Sequence, residues 1–283
     1  MNSKYVMITG ISTGIGFALC TFFIEKGYHV IGTVRNEEDK SNLKNTFNKN
    51  LTILCFDVRN TIKMNIEFES IAPLLSKDGL YCVINNAGVA IPGPLELMDE
   101  ELFDAQLDIN VKAVRRITNA VLPYLKVKTP GKIINISSVS GLVNMPYNGA
   151  YCISKHALES MTEVYRRELL PFGISVSAVQ PGPIKTPIWK KNLGSMKSYY
   201  QSEYGSVLQK ADKIIENTEK NALDTSAVVK KVWKIFNEKN SSPLNIVHKK
   251  KWGFMLFWKL IPRSIADKLI YKTLQKGDNF RPF

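Results

Sequence analysis

Short apolar, β-branched runs alternate with helix-length segments along most of this chain, and the first of those runs breaks into a glycine turn. Residues 5–9, 29–34, 51–56, 80–84, 132–136, 174–179 and 244–247 read as strands. Their Val and Ile follow one another continuously instead of every second position. A strand that buries both of its faces reads this way, as strands of parallel sheets do. Parallel neighbours need a long crossover between them. The intervening segments, such as 14–26 and 100–124, are long enough to supply helices. The order therefore predicts an α/β fold, a doubly wound parallel sheet with helices on both faces. At 283 residues with 45% hydrophobic and 22% charged content, the chain has the composition of a packed domain, which excludes disorder, collagen and coiled coil.

The first predicted strand ends in Thr9-Gly10-Ile11-Ser12-Thr13-Gly14-Ile15-Gly16. Glycines allow the tight turn and let backbone approach a pyrophosphate. The helix opening at Gly14 would present free N–H groups and its positive dipole end to that anion. A strand before the glycines and a helix after them is the context that makes the pattern a dinucleotide site of the Rossmann kind. We therefore expect Gly10, Ser12, Thr13, Gly14, Ile15 and Gly16 to bind cofactor. An NAD-specific site would carry an acid at the end of the second strand, on the ribose hydroxyls. Here Val34 and Arg35 stand there. A guanidinium suits a 2′-phosphate, which predicts NADP over NAD, with NAD still possible. The competing role for Arg35 is a surface pair with Glu37, Glu38 or Asp39. Asp57 and Val58, after the third strand, are expected near the adenine. Asn86, Ala87 and Gly88, after the fourth, offer a small-residue floor for the cofactor.

Tyr151 and Lys155 lie four apart on a predicted helix and share a face. An unperturbed phenol, with a pKa of about 10, is a poor base near neutrality. An adjacent ammonium lowers that value. The tuned phenol then gives a proton to a carbonyl oxygen or takes one from an alcohol. Ser138 can hold the same oxygen. The chain resembles the short-chain dehydrogenase/reductase family through Thr9-Gly10-x-x-x-Gly14-x-Gly16, Asn85-Asn86-Ala87-Gly88, Asn110, Ser138, Tyr151-x-x-x-Lys155 and Pro181-Gly182-Pro183-Ile184-x-Thr186, all in order. Val34-Arg35 and Tyr151-Cys152-x-Ser154-Lys155 resemble its NADP-preferring steroid and retinoid oxidoreductases. The resemblance implies that Asn110 supports a water leading from Lys155 to solvent, that Lys155 also binds the nicotinamide ribose, and that Pro181, Gly182, Ile184 and Thr186 embrace the nicotinamide end. It implies a dimer or tetramer.

Other chemistries fare worse. His29, His156 and His248 are scattered and show no metal spacing, so no metal is expected. Ser138 lacks His and Asp partners for a hydrolase triad. Cys20, Cys55, Cys82 and Cys152 form no CxxC pair and read as reduced packing residues. No secretory signal is read at the start, and the strongly apolar stretch 252–262 is too short to span a bilayer. The expectation is a cytoplasmic enzyme, possible contact with a membrane surface included.

Two parts stand outside the alternation. Residues 188–223 are polar and tyrosine-bearing, and should wall a substrate pocket together with Leu142, Val143, Met145, Pro146, Tyr147, Ile188 and Trp189. Most of these are apolar, which favours a hydrophobic carbonyl or alcohol substrate. After the catalytic domain, 1–247, comes a basic, aromatic extension, 248–283. Between Trp189 and Phe283, 19 Lys and Arg face 8 Asp and Glu, so +11 of the chain's +13 lies there. Such an excess is met by a solvated face, an acidic ligand or an anionic surface; nucleic acid is not expected. Lys249, Lys250 and Lys251 beside Trp252, Phe254, Phe257 and Trp258 suit a membrane interface. The same aromatics would serve a strap packed on the pocket or on a second subunit. A helix is predicted over 264–276, closed by Gly277, with Ile265, Leu269, Ile270 and Leu274 as its apolar stripe. The whole reads as an oxidoreductase interconverting a hydrophobic alcohol and its ketone or aldehyde. The alternatives are an NAD-linked hydroxy-acid dehydrogenase and a non-catalytic NADP-binding regulator.

Overall fold

The computed structural model describes residues 4–239 and 242–276, without the side chains of Trp252, Phe254, Phe257 and Lys259. Seven strands, β1 Tyr5–Ile8, β2 His29–Val34, β3 Leu51–Cys55, β4 Cys82–Asn85, β5 Lys132–Ile136, β6 Ser175–Pro181 and β7 Leu244–Val247, form one sheet in the order β3-β2-β1-β4-β5-β6-β7. Every pairing is parallel. The helices between them are α1 Gly14–Glu25, α2 Glu37–Thr46, α3 Thr61–Asp78, α4 Glu100–Leu107, α5 Ala113–Val127 and α6 Gly149–Glu168. The polar segment after β6 folds into α7 Ile188–Asn192, α8 Gly205–Leu208 and α9 Ala211–Lys220, followed by α10 Thr225–Asn237. The extension forms α11 Lys251–Leu260 and α12 Arg263–Lys276.

The continuous apolar runs are explained by two cores. Val6 and Ile8 of β1 point to one face, where they meet Leu19 and Phe23 of α1 and Val228 and Val232 of α10. Tyr5 and Met7 point to the other, with Leu75 of α3 and Ile117, Val121 and Leu125 of α5. Both faces of each central strand are thus dry, and burying its apolar side chains contributes about 1.5–3 kcal/mol for each large one. Strand order reverses between β1 and β4, which opens a crevice at their carboxyl ends, the place where this architecture takes ligands.

The helix predicted over 100–124 is interrupted. Residues Asp108–Lys112 form one π-helical turn between α4 and α5. Asn110 sits in that turn, and such turns recur at functional sites because they re-aim one side chain.

Candidate active site

Three loops meet at the crevice. Thr9 is buried at the end of β1, and its hydroxyl accepts from the N–H groups of Asn86 and Ala87, both at 2.9 Å. Asn86 returns the contact, its Nδ2 donating to Thr9 O at 2.9 Å and Gly10 O at 3.1 Å. The loop after β4 is therefore stapled to the glycine turn. A Cβ on Gly16 would lie 2.0 Å from Gly10 O, so only glycine permits this crossing. Gly14 adopts φ +61°, and a Cβ there would meet Thr186 Cγ2 at 3.2 Å. The proline-rich loop after β6 thus arches over the start of α1. Thr13, the residue before α1, makes no side-chain cap, which leaves first-turn N–H groups open to an outside acceptor. A dinucleotide's diphosphate fits this cradle. The structure brings Gly10, Gly14, Gly16, Asn86, Ala87 and Thr186 together at the crevice, with Ser12, Thr13 and Ile15 in the same turn and the start of α1.

At the adenine end, Arg35 is exposed at the tip of β2. It forms no ion pair with Glu37, Glu38 or Asp39 among the described residues. Asn36 caps α2 by accepting from Asp39 N at 2.8 Å, and Glu37 pairs with Lys40 at 3.5 Å. Asp57 is less available than expected. Arg59 donates to its two oxygens from Nε at 3.1 Å and Nη2 at 2.8 Å, and its backbone N–H adds a third bond at 2.9 Å. The Arg59 hydrogen bonds hold the Asp57 carboxyl below the usual carboxylate range, and Arg35 assists. Arg59 escaped the sequence reading because nothing in its spacing marks it.

The proton-handling residues converge beside the crevice. Ser138 follows β5 and accepts from Ser140 N–H at 3.1 Å. Tyr151 lies in the first turn of α6, its hydroxyl hydrogen-bonded to Ser138. Lys155 is buried, donates to Ile136 O at 2.9 Å and has its Nζ 5.7 Å from the Tyr151 ring centre. Asn110 is fully buried. Its Oδ1 accepts from Val89 N–H at 2.9 Å, and its Nδ2 donates to Val89 O at 2.8 Å and Ser154 Oγ at 2.9 Å. A Cβ on Gly88 would be 3.1 Å from Asn110 Oδ1 and 3.7 Å from Lys155 Nζ, so this glycine keeps the two within reach. Electrostatics departs from the expectation that Lys155 lowers the phenol's pKa. Burial pushes Tyr151 up to about 12, with the Ser138 hydroxyl pulling it back. Burial also brings Lys155 down to about 8, against the raising effect of Glu159. Desolvation wins because both charged forms sit in a dry site.

His156 contacts Cys152 O at 2.9 Å on its own helix, and burial raises the Cys152 thiol, so both are packing groups. His248 packs on the cofactor loop: a Cβ on Gly182 would come within 2.4 Å of its ring.

Residues of the 188–223 segment, predicted to wall a pocket, line a cavity beside the loop after β4. This cavity, of about 490 Å³, lies between the loop after β4, with Ile91, Pro92, Leu97 and Leu102, and residues Ser195 to Ser202 of the long segment, with Tyr199. The predicted wall residues Leu142, Val143, Met145, Pro146, Tyr147, Ile188 and Trp189 do not line it. Val143 is spent in the core, and the Trp189 indole donates to Ile184 O at 2.6 Å. Tyr147 stands edge-on to Tyr204, centroids 6.0 Å apart. The extension reaches this side too, since Lys210 hydrogen-bonds Gln275 O and Tyr271 acts electrostatically on Tyr147. In α12 the buried stripe is Ala266 and Ile270, whereas Ile265 and Leu269 are exposed. The small Ala266 lets the helix approach closely on that phase, which turns the larger pair outward. The aromatic side chains Trp252, Phe254 and Phe257, and the proposed stop at Gly277, lie outside the described residues.

Comparison with known proteins agrees with this geometry. The family model described as short chain dehydrogenase matches residues 4–196. The NADPH-dependent 3-dehydrocapnine reductase of Ornithobacterium rhinotracheale is 36% identical over 277 residues, 96% of this chain and 98% of its own. The 3-ketodihydrosphingosine reductase of Bacteroides thetaiotaomicron is 33% identical over 241 residues, 85% of this chain and 86% of its own. Among solved structures, that of ElxO with NADP bound superposes with a TM-score of 0.71 at 26% identity, over 87% of this chain and 97% of that one. The chain belongs to the short-chain dehydrogenase family and is an oxidoreductase of that family.

Proposed function

We propose that this chain is an NADPH-dependent reductase of a lipid ketone, of the 3-ketodihydrosphingosine kind. The observation that carries the reading is the likeness to 3-dehydrocapnine reductase, which covers 96% of this chain and so takes in the substrate segment and the extension as well as the cofactor half. Both named reductase relatives act on a carbonyl at carbon 3. The apolar Ile91, Pro92, Leu97 and Leu102 around the cavity suit an alkyl chain.

The residues that would hold NADP are the α1 N-terminus for the diphosphate, Arg35 for the 2′-phosphate, Lys155 for the nicotinamide ribose and the 181–186 loop for the nicotinamide. Bound NADPH supplies the hydride. Ser138 Oγ donates a hydrogen bond to the substrate carbonyl oxygen and fixes it next to Tyr151. Tyr151 gives its hydroxyl proton to that oxygen as negative charge develops there. Burial keeps the Tyr151 phenol protonated at neutral pH, the form that can donate to the carbonyl oxygen. Lys155 stabilises the phenolate left behind, and Asn110, fixed in the π-helical turn, orients a water through which the proton is restored.

NADPH oxidation followed with 3-ketodihydrosphingosine, with short ketones and with hydroxy acids under NAD tests the assignment. Turnover of the lipid ketone with NADPH is expected. Turnover confined to short polar substrates would overturn it. An enzyme drawing on NADPH fits the cytoplasmic pool, and we expect a homo-oligomer, readable by light scattering. Contact with an anionic membrane is the proposed role of α11 and α12, where Leu256, Leu260, Ile265 and Leu269 are exposed among lysines.

A further inference from the structure

We propose that Glu159 is a positioning residue of this site: its carboxylate, one helical turn beyond Lys155 and clamped from the sheet by Gln180, is the counter-charge that stabilises the Lys155 ammonium. The inference rests on the role given to Lys155 above.

Tyr151, Lys155 and Glu159 succeed one another at intervals of four on α6, so all three point to the sheet side. Lys155 donates to one neutral carbonyl, Ile136 O. A buried ammonium held only by neutral partners is costly, and it persists where a carboxylate stands near. Around Lys155, Tyr151 of α6 and Asn110 of the π-helical turn are neutral, and Glu159 is the acidic group that acts on it.

The carboxylate is built into place. Gln180 of β6 is fully buried, and its Nε2 donates to both Glu159 oxygens at 3.0 Å. Its Oε1 accepts from Asn245 N–H of β7 at 2.6 Å. Asn245 Nδ2 in turn donates to Ala178 O at 3.0 Å and Ser242 O at 2.6 Å. The amide of Gln180 therefore has one orientation, nitrogen toward Glu159 and oxygen toward β7. A Cβ on Gly141 would lie 2.9 Å from Lys155 O and 3.0 Å from both Glu159 Cγ and Ser137 Oγ. Glycine there lets the loop after β5 close over the carboxylate. Burial pushes the Glu159 carboxyl up, while Ser137, Gln180, Lys155 and His156 pull it back. These groups face it from the end of β5, from β6 and from α6. An apolar side chain would fill the space at lower cost. A hydrogen-bonded carboxylate one helical turn beyond a catalytic ammonium has an electrostatic task.

The test is Glu159→Gln in the full chain, with two pH titrations: kcat on a turned-over ketone, and NADPH affinity read from fluorescence without substrate. Loss of a neighbouring opposite charge shifts a pKa by about one unit. The limb belonging to Lys155 is expected to move from about 8 toward 7 in both titrations. The variant then loses about five-fold near pH 8 and little at pH 6, as such a shift requires. Glu159→Asp should restore part of the limb. Gln180→Met, which keeps the charge and removes its clamp, should shift it less and in the same direction; this variant decides the matter if Glu159→Gln does not fold. A uniform loss across pH with both limbs unmoved would overturn the proposal. A chain that turns over no lipid ketone yet shows the moved limb in NADPH binding would count against the substrate assignment and leave Glu159 in its role.

Discussion

The crevice between β1 and β4 and the segments after β6 are built on opposite terms. In the first, residues far apart in sequence are locked by short hydrogen bonds. Asn86 reaches back to Thr9 and Gly10, and Gly16 crosses Gly10 O where no Cβ fits. In the second, short helices carry many lysines, and several aliphatics lie in water. Leu256, Leu260 and Ile265 are 60%, 64% and 49% exposed. The first region is held to one geometry by its own chain. The second receives its shape from what it touches. Substitutions in the two should therefore differ in kind: the first should change chemistry and cofactor, the second the access of substrate.

The largest effect is expected at the proton donor. Tyr151→Phe keeps the ring and removes the hydroxyl that bonds Ser138. Turnover should fall by about 10²- to 10⁴-fold, the range of general acid–base catalysis. Melting temperature and NADPH affinity should hold. A variant with near-normal kcat would take the reaction away from this residue.

Next comes cofactor choice. Arg35→Ala should weaken NADPH by about 10- to 150-fold, the loss of one charge-assisted contact worth about 1.5–3 kcal/mol. NADH should be little affected, because Arg35 makes no ion pair with its neighbouring acids whose loss would disturb the fold. Titrating both cofactors against the variant measures the contrast. Equal weakening of the two would make Arg35 structural.

The pH dependence follows from Lys155. Its ammonium is the form that supports the phenolate, and burial sets its loss near pH 8. Reduction should run on a plateau below that value and fall as pH rises through it, by about ten-fold for each unit above. A rate that climbs through pH 8 and 9 would reverse the roles assigned to Tyr151 and Lys155. Stability moves the other way. A lysine with a depressed folded pKa makes the unfolded chain the stronger proton binder, so its penalty eases as pH climbs from about 8 toward the unfolded value of about 10.4.

The contrast also explains what could be read from residues alone. Strands β2, β5 and β7 run from His29 to Val34, Lys132 to Ile136 and Leu244 to Val247, the bounds that β-branched runs predict. Both faces of β2 and β5 are dry, so composition alone marks them. The glycines and Asn86 were legible because steric demand admits few residue types. Tyr151 and Lys155 were legible as a spacing, but the direction of the phenol's pKa was not. It depends on burial, which a spacing does not report. Arg59 and Gln180 act through partners two, 21 and 65 positions away, and no local pattern marks such pairs; Glu159 stands four from Lys155, but the Gln180 amide that fixes it comes from another element. Val143 and Trp189 look like pocket residues but are used elsewhere, Val143 in a buried position and Trp189 in a hydrogen bond to Ile184 O. In α12 the inward stripe is Ala266 and Ile270, because a small residue takes a position that a pattern of large apolar residues does not mark.

The smallest effect on chemistry is expected in the extension. Replacing Ile265 and Leu269 by Glu should leave kcat on a short, soluble ketone unchanged, since neither side chain is buried against the crevice. The same change should reduce binding to vesicles containing anionic lipid. Two aliphatics would no longer enter the interface, and two added negative charges would oppose the lysines around them. Each lysine near such a surface contributes about 1 kcal/mol, screened within a Debye length of about 8–10 Å. Binding by the unmodified chain should therefore weaken with added salt and persist in part, because burial of aliphatic side chains is indifferent to charge. Flotation at low and high salt reads both terms, and KM for a bilayer-held ketone should rise with the loss of binding. If neither chain floats, and the double variant changes its oligomeric state instead, the exposed face belongs to a second copy of this protein. The lysines would then be an ordinary solvated rim, and a lipid ketone would have to reach the cavity from solution.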